Sequence, residues 1–291
     1  MKKIAITGSS GRIGRSLHWK LCRDYEVMGI DISPSSATSL ISDIRDYDKL
    51  LRTFEGVDTI FHSAALHAPH VGIVPDRTFY EINVDATEKI CRAALEVGVP
   101  HIVFTSTTAL YGYANSDGEK AVWINQNTVP QPRTIYHKTK LEAERLLEEY
   151  SGEKLSISVM RMSRCFPEPA NLMAVYRLHR GIDYRDVADA HILAGQLKEK
   201  KIFDIFIVSG KTPFLKSDCY MLHENPESVI HERNPLFAKE FDNRGWKYPD
   251  SIDRVYDSSY SESTLGWIPK RGPFDVFKKF DNENFEVLPP S

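Results

Sequence analysis

Cysteine is scarce in this sequence: four residues in 291, at positions 22, 91, 165 and 219, with no C-x-x-C pair among them. That spacing excludes a disulfide-stapled scaffold and leads to the expectation of reduced thiols in a cytoplasmic protein. Long apolar runs are missing too, none approaching the roughly 18 residues that cross a bilayer. Strand-like sequence begins as early as Ile4, so neither a membrane span nor a signal peptide is expected. Charge of one sign is not in excess: 37 Lys plus Arg stand against 40 Asp plus Glu, a formal net charge of -3 with no long block of either sign. Nucleic acid and membrane surfaces are therefore not expected partners. Internal repeats and low-complexity linkers are absent. What is present is 42% apolar residues, enough for a sizeable core in one large α/β unit or two modest domains.

Through the first two-thirds, short β-branched runs alternate with longer helical patterns. The runs are Lys3–Thr7, Glu26–Asp31, Thr59–Ser63, His101–Ser106, Leu155–Arg161 and Ile202–Ser209; helical patterns fall near Arg12–Arg23, Tyr47–Phe54, Arg77–Val97, Thr134–Tyr150 and Asp186–Leu197. That alternation predicts an α/β fold, a doubly wound parallel sheet with helices on both faces. Beyond about Thr212 the texture turns to scattered Pro, Asn and aromatic residues with weak periodicity, read as a small irregular lobe. The expected division places 1–163 and 184–211 in the sheet domain, and 164–183 and 212–291 in the lobe.

The first chemical signal follows the opening strand: Gly8-Ser9-Ser10-Gly11-Arg12-Ile13-Gly14, leading into an amphipathic helix. Glycines between a strand and a helix let the backbone turn tightly and approach a pyrophosphate, whose charge is held by the helix N-terminus. Gly8, Ser10, Gly11, Arg12, Ile13 and Gly14 are accordingly expected at a dinucleotide. A nucleoside triphosphate loop is disfavoured because no Gly-Lys-Ser/Thr closes the stretch. Asp31 ends the second strand 17 positions after Gly14. There a carboxylate accepts from both ribose hydroxyls and repels a 2'-phosphate, favouring NAD over NADP, with Arg12 and Arg15 pulling the other way. Asp43 and Ile44 read either as contacts to the adenine or as a cap for the helix at Tyr47–Phe54.

The second signal is Tyr136-His137-Lys138-Thr139-Lys140, which sets a phenol and an amine on one helix face a turn apart. A free phenol is a poor base at neutral pH. An ammonium about 4 Å away contributes roughly 4 kcal/mol at an effective dielectric near 20, worth about three pKa units. Tyr136 then takes a hydroxyl proton as hydride leaves for the nicotinamide.

Together these stretches resemble the extended short-chain dehydrogenase/reductases, Rossmann-fold enzymes, and specifically their NAD-dependent epimerase/dehydratase branch. The likeness covers nearly the whole chain. It rests on T-G-S-S-G-R-I-G at 7–14, Asp31, Asp43-Ile44, His62-Ser63-Ala64-Ala65, Asn83-Val84-Asp85-Ala86-Thr87, Thr105 to Gly112, Tyr136 and Lys140, with Tyr184 to Ala190 and Leu265 to Pro269 further on. The resemblance implies that Thr107 holds the reacting oxygen with Tyr136, and that Lys140 also holds the nicotinamide ribose. It further implies that Ser63, Ala64, Ala65 and Thr105 line the cofactor and that Asn83 anchors the neighbouring helix. A homodimer through the Arg77–Val97 and Thr134–Tyr150 helices is expected.

Departures from the family pattern narrow the reaction. Sugar dehydratases of this branch carry Asp-Glu after the catalytic Thr; Thr108 and Ala109 stand there, which argues against dehydration. Cys165-Phe166-Pro167-Glu168-Pro169 is similar to uronate dehydrogenases, but their carboxylate-binding arginine falls on Met173, leaving Arg164, Arg177 or Arg180 to replace it. His67, Thr108 and Arg164 are the expected substrate contacts. No metal is expected, because His67 and His70 lack a third ligand. The reading is NAD-dependent oxidation of a sugar or sugar-acid hydroxyl. The alternatives are a nucleotide-sugar epimerase using transient oxidation and a non-enzymatic NAD-sensing regulator.

Overall fold

The structure, a computed structural model, describes residues 1–114, 118–197 and 200–291. In chain order its elements are β1 (Lys3–Thr7), α1 (Arg12–Leu21), β2 (Glu26–Asp31), β3 (Leu40–Ile41), α2 (Tyr47–Phe54), β4 (Val57–His62), α3 (Asp76–Tyr80), α4 (Ala86–Val97), β5 (His101–Thr107), β6 (Val122–Ile124), α5 (Ile135–Tyr150), β7 (Ser156–Met162), α6 (Ala170–His179), α7 (Tyr184–Gln196) and β8 (Phe203–Val208). Then follow α8 (Cys219–Glu224), α9 (Pro226–Arg233), α10 (Pro235–Asn243), β9 (Arg254–Tyr256), α11 (Ser259–Leu265) and α12 (Pro273–Asp281). No helix among the described residues is long and apolar enough to cross a membrane. The chain divides into two compact units. The first comprises Met1–Gly112, Pro130–Arg161 and Val187–Phe206; the second comprises Tyr113–Val129, Met162–Asp186 and Ile207–Ser291.

The first unit is built on the seven-stranded sheet β3-β2-β1-β4-β5-β7-β8. β1 runs parallel to both β2 and β4, and β4 parallel to β5. Ile4, Ala5 and Ile6 are all buried, as expected of a central strand covered by helices on both faces. The chain winds outward from β1 to β3 and returns to β4 on β1's other side. The loop after β1 therefore sits at a topological switch point, where open α/β sheets bind their ligands. The steric fit here is tight. Gly8 adopts φ +74° with its missing Cβ position 2.6 Å from the Ala64 nitrogen, and a Cβ on Gly14 would lie 2.1 Å from the Gly8 carbonyl oxygen. Only glycine lets α1 start so close to the turn.

The expected Arg77–Val97 helix is interrupted. Between α3 and α4 the Glu81–Asp85 segment widens into a π-helical turn, a form concentrated at functional positions.

The second unit corrects the expectation of an irregular lobe. Among the described residues it carries α6 and, further along, α8 to α12, with a core of its own in which Phe237 stacks with Phe241 and Phe277 at centroid distances of 5.3 and 5.4 Å. α8, α9 and α10 span only 6, 8 and 9 residues, too short for a helical period to stand out. Asn225 and Asn234 cap α9 and α10, each followed by Pro at the first helical position, a start signal present in the sequence as two Asn-Pro pairs. Tyr113–Val129 belongs to this unit rather than to the sheet domain where the sequence reading left it, because β6 pairs in parallel with β9.

Gly14→Ala should cost about 1–3 kcal/mol of stability through the forced backbone shift. Gly152→Ala, where a Cβ meets nothing within 4 Å, should stay within about 0.5 kcal/mol. Chemical denaturation of both variants checks this; equal stability of the two would contradict the steric reading.

Candidate active site

At the carboxyl ends of β1, β4 and β5 a buried chain of hydrogen bonds fixes the loops. Burial, reinforced by the charge of Lys140, brings the His62 pKa down to about 3, so the ring is neutral. Thr87 donates to the Asn83 carbonyl at 2.8 Å and so accepts from His62 Nε2 at 3.0 Å. Nδ1 is then an acceptor, taking the Thr7 hydroxyl at 2.7 Å, and Thr7 in turn accepts from the Ala64 amide at 3.4 Å. This histidine is a spacer between two threonines, consistent with its packed position. Ser63 donates to the Thr7 carbonyl at 2.7 Å. Ala64 and Ala65 are half-buried beside it. Asn83 takes the Leu66 amide at 2.9 Å and donates to the Leu66 carbonyl at 3.0 Å and to Thr139 of α5 at 3.1 Å, tying the loop after β4 to that helix.

α5 begins at Thr134, whose hydroxyl accepts from the His137 amide. Tyr136 lies half-buried in its first turn. Lys140, a turn later, is only 3% exposed; its ammonium donates to the Thr105 carbonyl at 2.7 Å and sits 3.8 Å from the centre of the Phe104 ring. Burial pulls its pKa down to about 7 against the raising effect of Glu144. The full ammonium charge assumed from the sequence is therefore present only below neutral pH in the ligand-free protein. Glu144, one turn further along α5, accepts a fork of bonds from Arg161 at 2.6 to 3.1 Å and another from Ser106, while Arg161 also donates to Tyr111 at 2.7 Å.

On β5, the Thr105 hydroxyl pairs with His191 Nε2 at 2.9 Å. His191 Nδ1 donates to the Val187 carbonyl, and burial brings its pKa down to about 4; Nε2 is thus the acceptor and Thr105 the donor. Thr107 caps the following 3₁₀ turn by accepting from the Ala109 amide at 3.1 Å, which leaves its hydroxyl proton for another acceptor. Thr108 is buried, with 4% exposure.

The loop after β1 holds Asp31 in place: its carboxylate accepts from the Ser10 amide at 3.0 Å and the Ser33 amide at 2.9 Å. Ser10's hydroxyl bonds the Ser33 carbonyl and Thr38. Ile13 packs inward while Arg12 is half-exposed and Gly11 exposed; Gly11 begins α1 without any side-chain cap. Asp43 is taken up by Arg45, through its amide at 2.8 Å and its guanidinium, and the Arg45 charge lowers its pKa. Ile44 packs into the core. The cap of α2 is Asp46, which accepts from the Lys49 amide, and not Asp43.

His67 and His70 stack edge to face at 4.7 Å, with the His67 amide donating to His70 Nδ1. Among the described residues no group of three or more His, Cys, Asp or Glu is placed to hold a metal. In the second unit, Arg164 pairs with Glu168, Arg180 with Asp253 and buried Arg177 with Asp183 at 3.6 Å, while Met173 is a core residue. Sequence reasoning missed Glu144, Arg161 and His191; Glu144 meets Arg161 across 17 positions and His191 meets Thr105 across 86, and no local pattern marks such pairs.

A sequence profile described as the NAD dependent epimerase/dehydratase family matches residues 4–171. Among curated proteins, N-acetyl-alpha-D-glucosaminyl-diphospho-ditrans,octacis-undecaprenol 4-epimerase of Escherichia coli O157:H7 is 29% identical over 185 residues, 62% of this chain and 53% of that protein. L-arabinose 1-dehydrogenase (NAD(P)(+)) of Haloferax volcanii is 30% identical over 171 residues, 56% of this chain and 66% of its own length. The chain thus spans between half and two-thirds of these relatives. A short-chain dehydrogenase/reductase superfamily protein of Agrobacterium tumefaciens, solved with bound NAD, superposes with a TM-score of 0.71 at 17% identity, covering 95% of both chains.

The buried amine gives a pH test. A lysine near 7 in the folded state and 10.5 unfolded makes the unfolded chain bind the extra proton between those values, so stability rises with pH across that window. Lys140→Met should be more stable than the parent at pH 6, with the gap closing towards pH 10. Denaturation at pH 6, 8 and 10 measures it; a pH-independent gap would refute the depressed pKa.

Proposed function

This chain belongs to the NAD dependent epimerase/dehydratase family, and from that membership we propose that it oxidises a hydroxyl of a sugar or sugar acid with NAD as cofactor. The observation that carries the reading is the anchoring of Lys140 on the Thr105 carbonyl, which ties the helix bearing Tyr136 to the strand bearing Thr107. The residues around the first loop fit a dinucleotide. α1 opens with uncapped amides, Gly14 keeps a Cβ out of the turn, and Asp31 stands fixed beside Ser10 to receive ribose hydroxyls and disfavour a 2'-phosphate.

Bound NAD supplies the hydride acceptor. In this reading Thr107 donates its hydroxyl hydrogen to the substrate oxygen, and Tyr136, as phenolate, removes the proton from that oxygen while the carbon gives up its hydride and the C=O bond forms. Protonated Lys140 favours the phenolate. Ser63, Ala64 and Ala65 border the cofactor through the backbone that the His62 chain holds, and Thr105 borders it from β5. Thr105's hydroxyl is engaged with His191, which makes its contribution the carbonyl on Lys140. His67 and Thr108 are the substrate contacts in this reading, and Arg164 is the candidate for an anionic group of the substrate.

A relative named as an L-arabinose 1-dehydrogenase favours net oxidation of a free sugar; one named as a 4-epimerase supports the second reading, in which the hydride returns to the other face. A homodimer through α4 and α5 and a cytoplasmic setting, in keeping with four cysteines that form no disulfide with one another, complete the proposal; light scattering at a mass twice 33.2 kDa tests the former.

Incubation with NAD and a panel of free sugars, sugar acids and nucleotide sugars should give net NADH with a free sugar or sugar acid. Isomer formation without NADH selects the epimerase instead. Tyr136→Phe should lower turnover by at least about a hundredfold, the weight of a lost general base, with NAD affinity within several-fold. Retained turnover would refute the role of Tyr136.

A further inference from the structure

At the opposite edge of the first unit's sheet, by the amino ends of β1, β4 and β5, lies a cavity of about 450 Å³. Its walls are apolar: Ile4 of β1, Leu21 at the end of α1, Phe61 of β4 and Ile192 of α7. Its polar groups are lopsided. Lys2 and Lys200 both line it. Among the described lining residues the one carboxylate, Asp58, accepts from the Lys3 backbone amide at 2.9 Å. Burial, and then the charge of Lys2, pull the Lys200 amine below its ordinary pKa; two amines share one opening and repel. Gln196 donates to the Tyr25 hydroxyl at 3.1 Å beside them.

We infer that this cavity is a second ligand site, separate from the dinucleotide loop, for a small amphipathic carboxylate whose apolar body fills the space between Ile4, Leu21, Phe61 and Ile192 and whose anionic head bridges Lys2 and Lys200. The volume lies within the range of small-molecule pockets. Apolar walls supply affinity by burial. The paired amines supply the sign: an anion relieves their repulsion, whereas a cation adds to it and a neutral head leaves it in place. Lysines act as point charges without the planar fork of arginine, so the head group is selected by charge more than by shape.

The inference stands apart from the proposed reaction, and its test needs no turnover. Octanoate, 1-octanol and octylammonium are titrated into the full chain by calorimetry, with methyl spectra of isoleucine and leucine followed in parallel. Octanoate should bind one to one, at least about tenfold more tightly than octanol, the weight of roughly 1.4 kcal/mol, with octylammonium weakest. The methyl signals of Ile4, Leu21 and Ile192 should shift. Lys2→Glu and Lys200→Glu, at exposed and half-buried positions, should each weaken octanoate several-fold without changing the melting temperature. Equal binding of octanoate and octanol, unmoved methyls at those three residues, affinity indifferent to both reversals, or displacement of octanoate by NAD would each overturn the site.

Discussion

The arrangement turns on one buried amine. Lys140 is held by a single carbonyl, from Thr105, and by the face of Phe104, in a place where water is excluded and a charge is expensive. The fold supports that placement from three sides. Glu144 offers a nearby negative charge but is itself held by Arg161 and Ser106, so it stays a turn away; Thr105 is fixed by His191; and α5 is tethered by Asn83 to the loop after β4. An amine poised near neutrality responds to a small change in its surroundings, since any added negative partner restores the ammonium.

The histidines of the first unit share a second principle. His62 and His191 are both kept neutral by burial, and in each a backbone carbonyl decides the tautomer: that of Asn83 by taking the Thr87 proton, that of Val187 by taking the His191 Nδ1 proton. Their work is orientation. Each transfers the rigidity of a helix to the end of a strand: α4 through Thr87 to β1, and α7 through Val187 to β5. Loops at the carboxyl edge of the sheet are thereby set by helices that contribute no reactive group of their own.

Much of this was legible in the sequence where the cause is local. The strand, glycine loop and helix of residues 3–21 could be read because tight turns and helix starts are governed by neighbours in the chain, and the Tyr136 and Lys140 pairing because helical spacing is fixed. Asp31 could be placed from its distance to Gly14. What could not be read was of three kinds. Glu144 with Arg161, and Thr105 with His191, are tertiary pairs whose members look like ordinary surface or core residues until the sheet is assembled. The helices from α8 to α12 are brief, and the Asn-Pro start signals of α9 and α10 stand in a stretch without helical periodicity. Asp43 shows a third limit: two aspartates three positions apart each suit a helix start, and the register that selects Asp46 is set by α2 packing through Leu50 and Phe54.

The widened turn at Glu81–Asp85 has a consequence for how this region tolerates change in chain length. A π turn is an α-helix with one residue to spare, and removing that residue would leave a continuous α3 and α4 with ordinary hydrogen bonding. Each residue advances a helix by about 100°, so the shortened helix would carry Asn83 away from Leu66 and Thr139 or else swing α4's Thr87 from His62. The irregularity is a phase shifter between α3 and α4: it lets α3 bury Phe79 while Asn83 faces the loop and Thr87, a turn later on the same face, meets the imidazole.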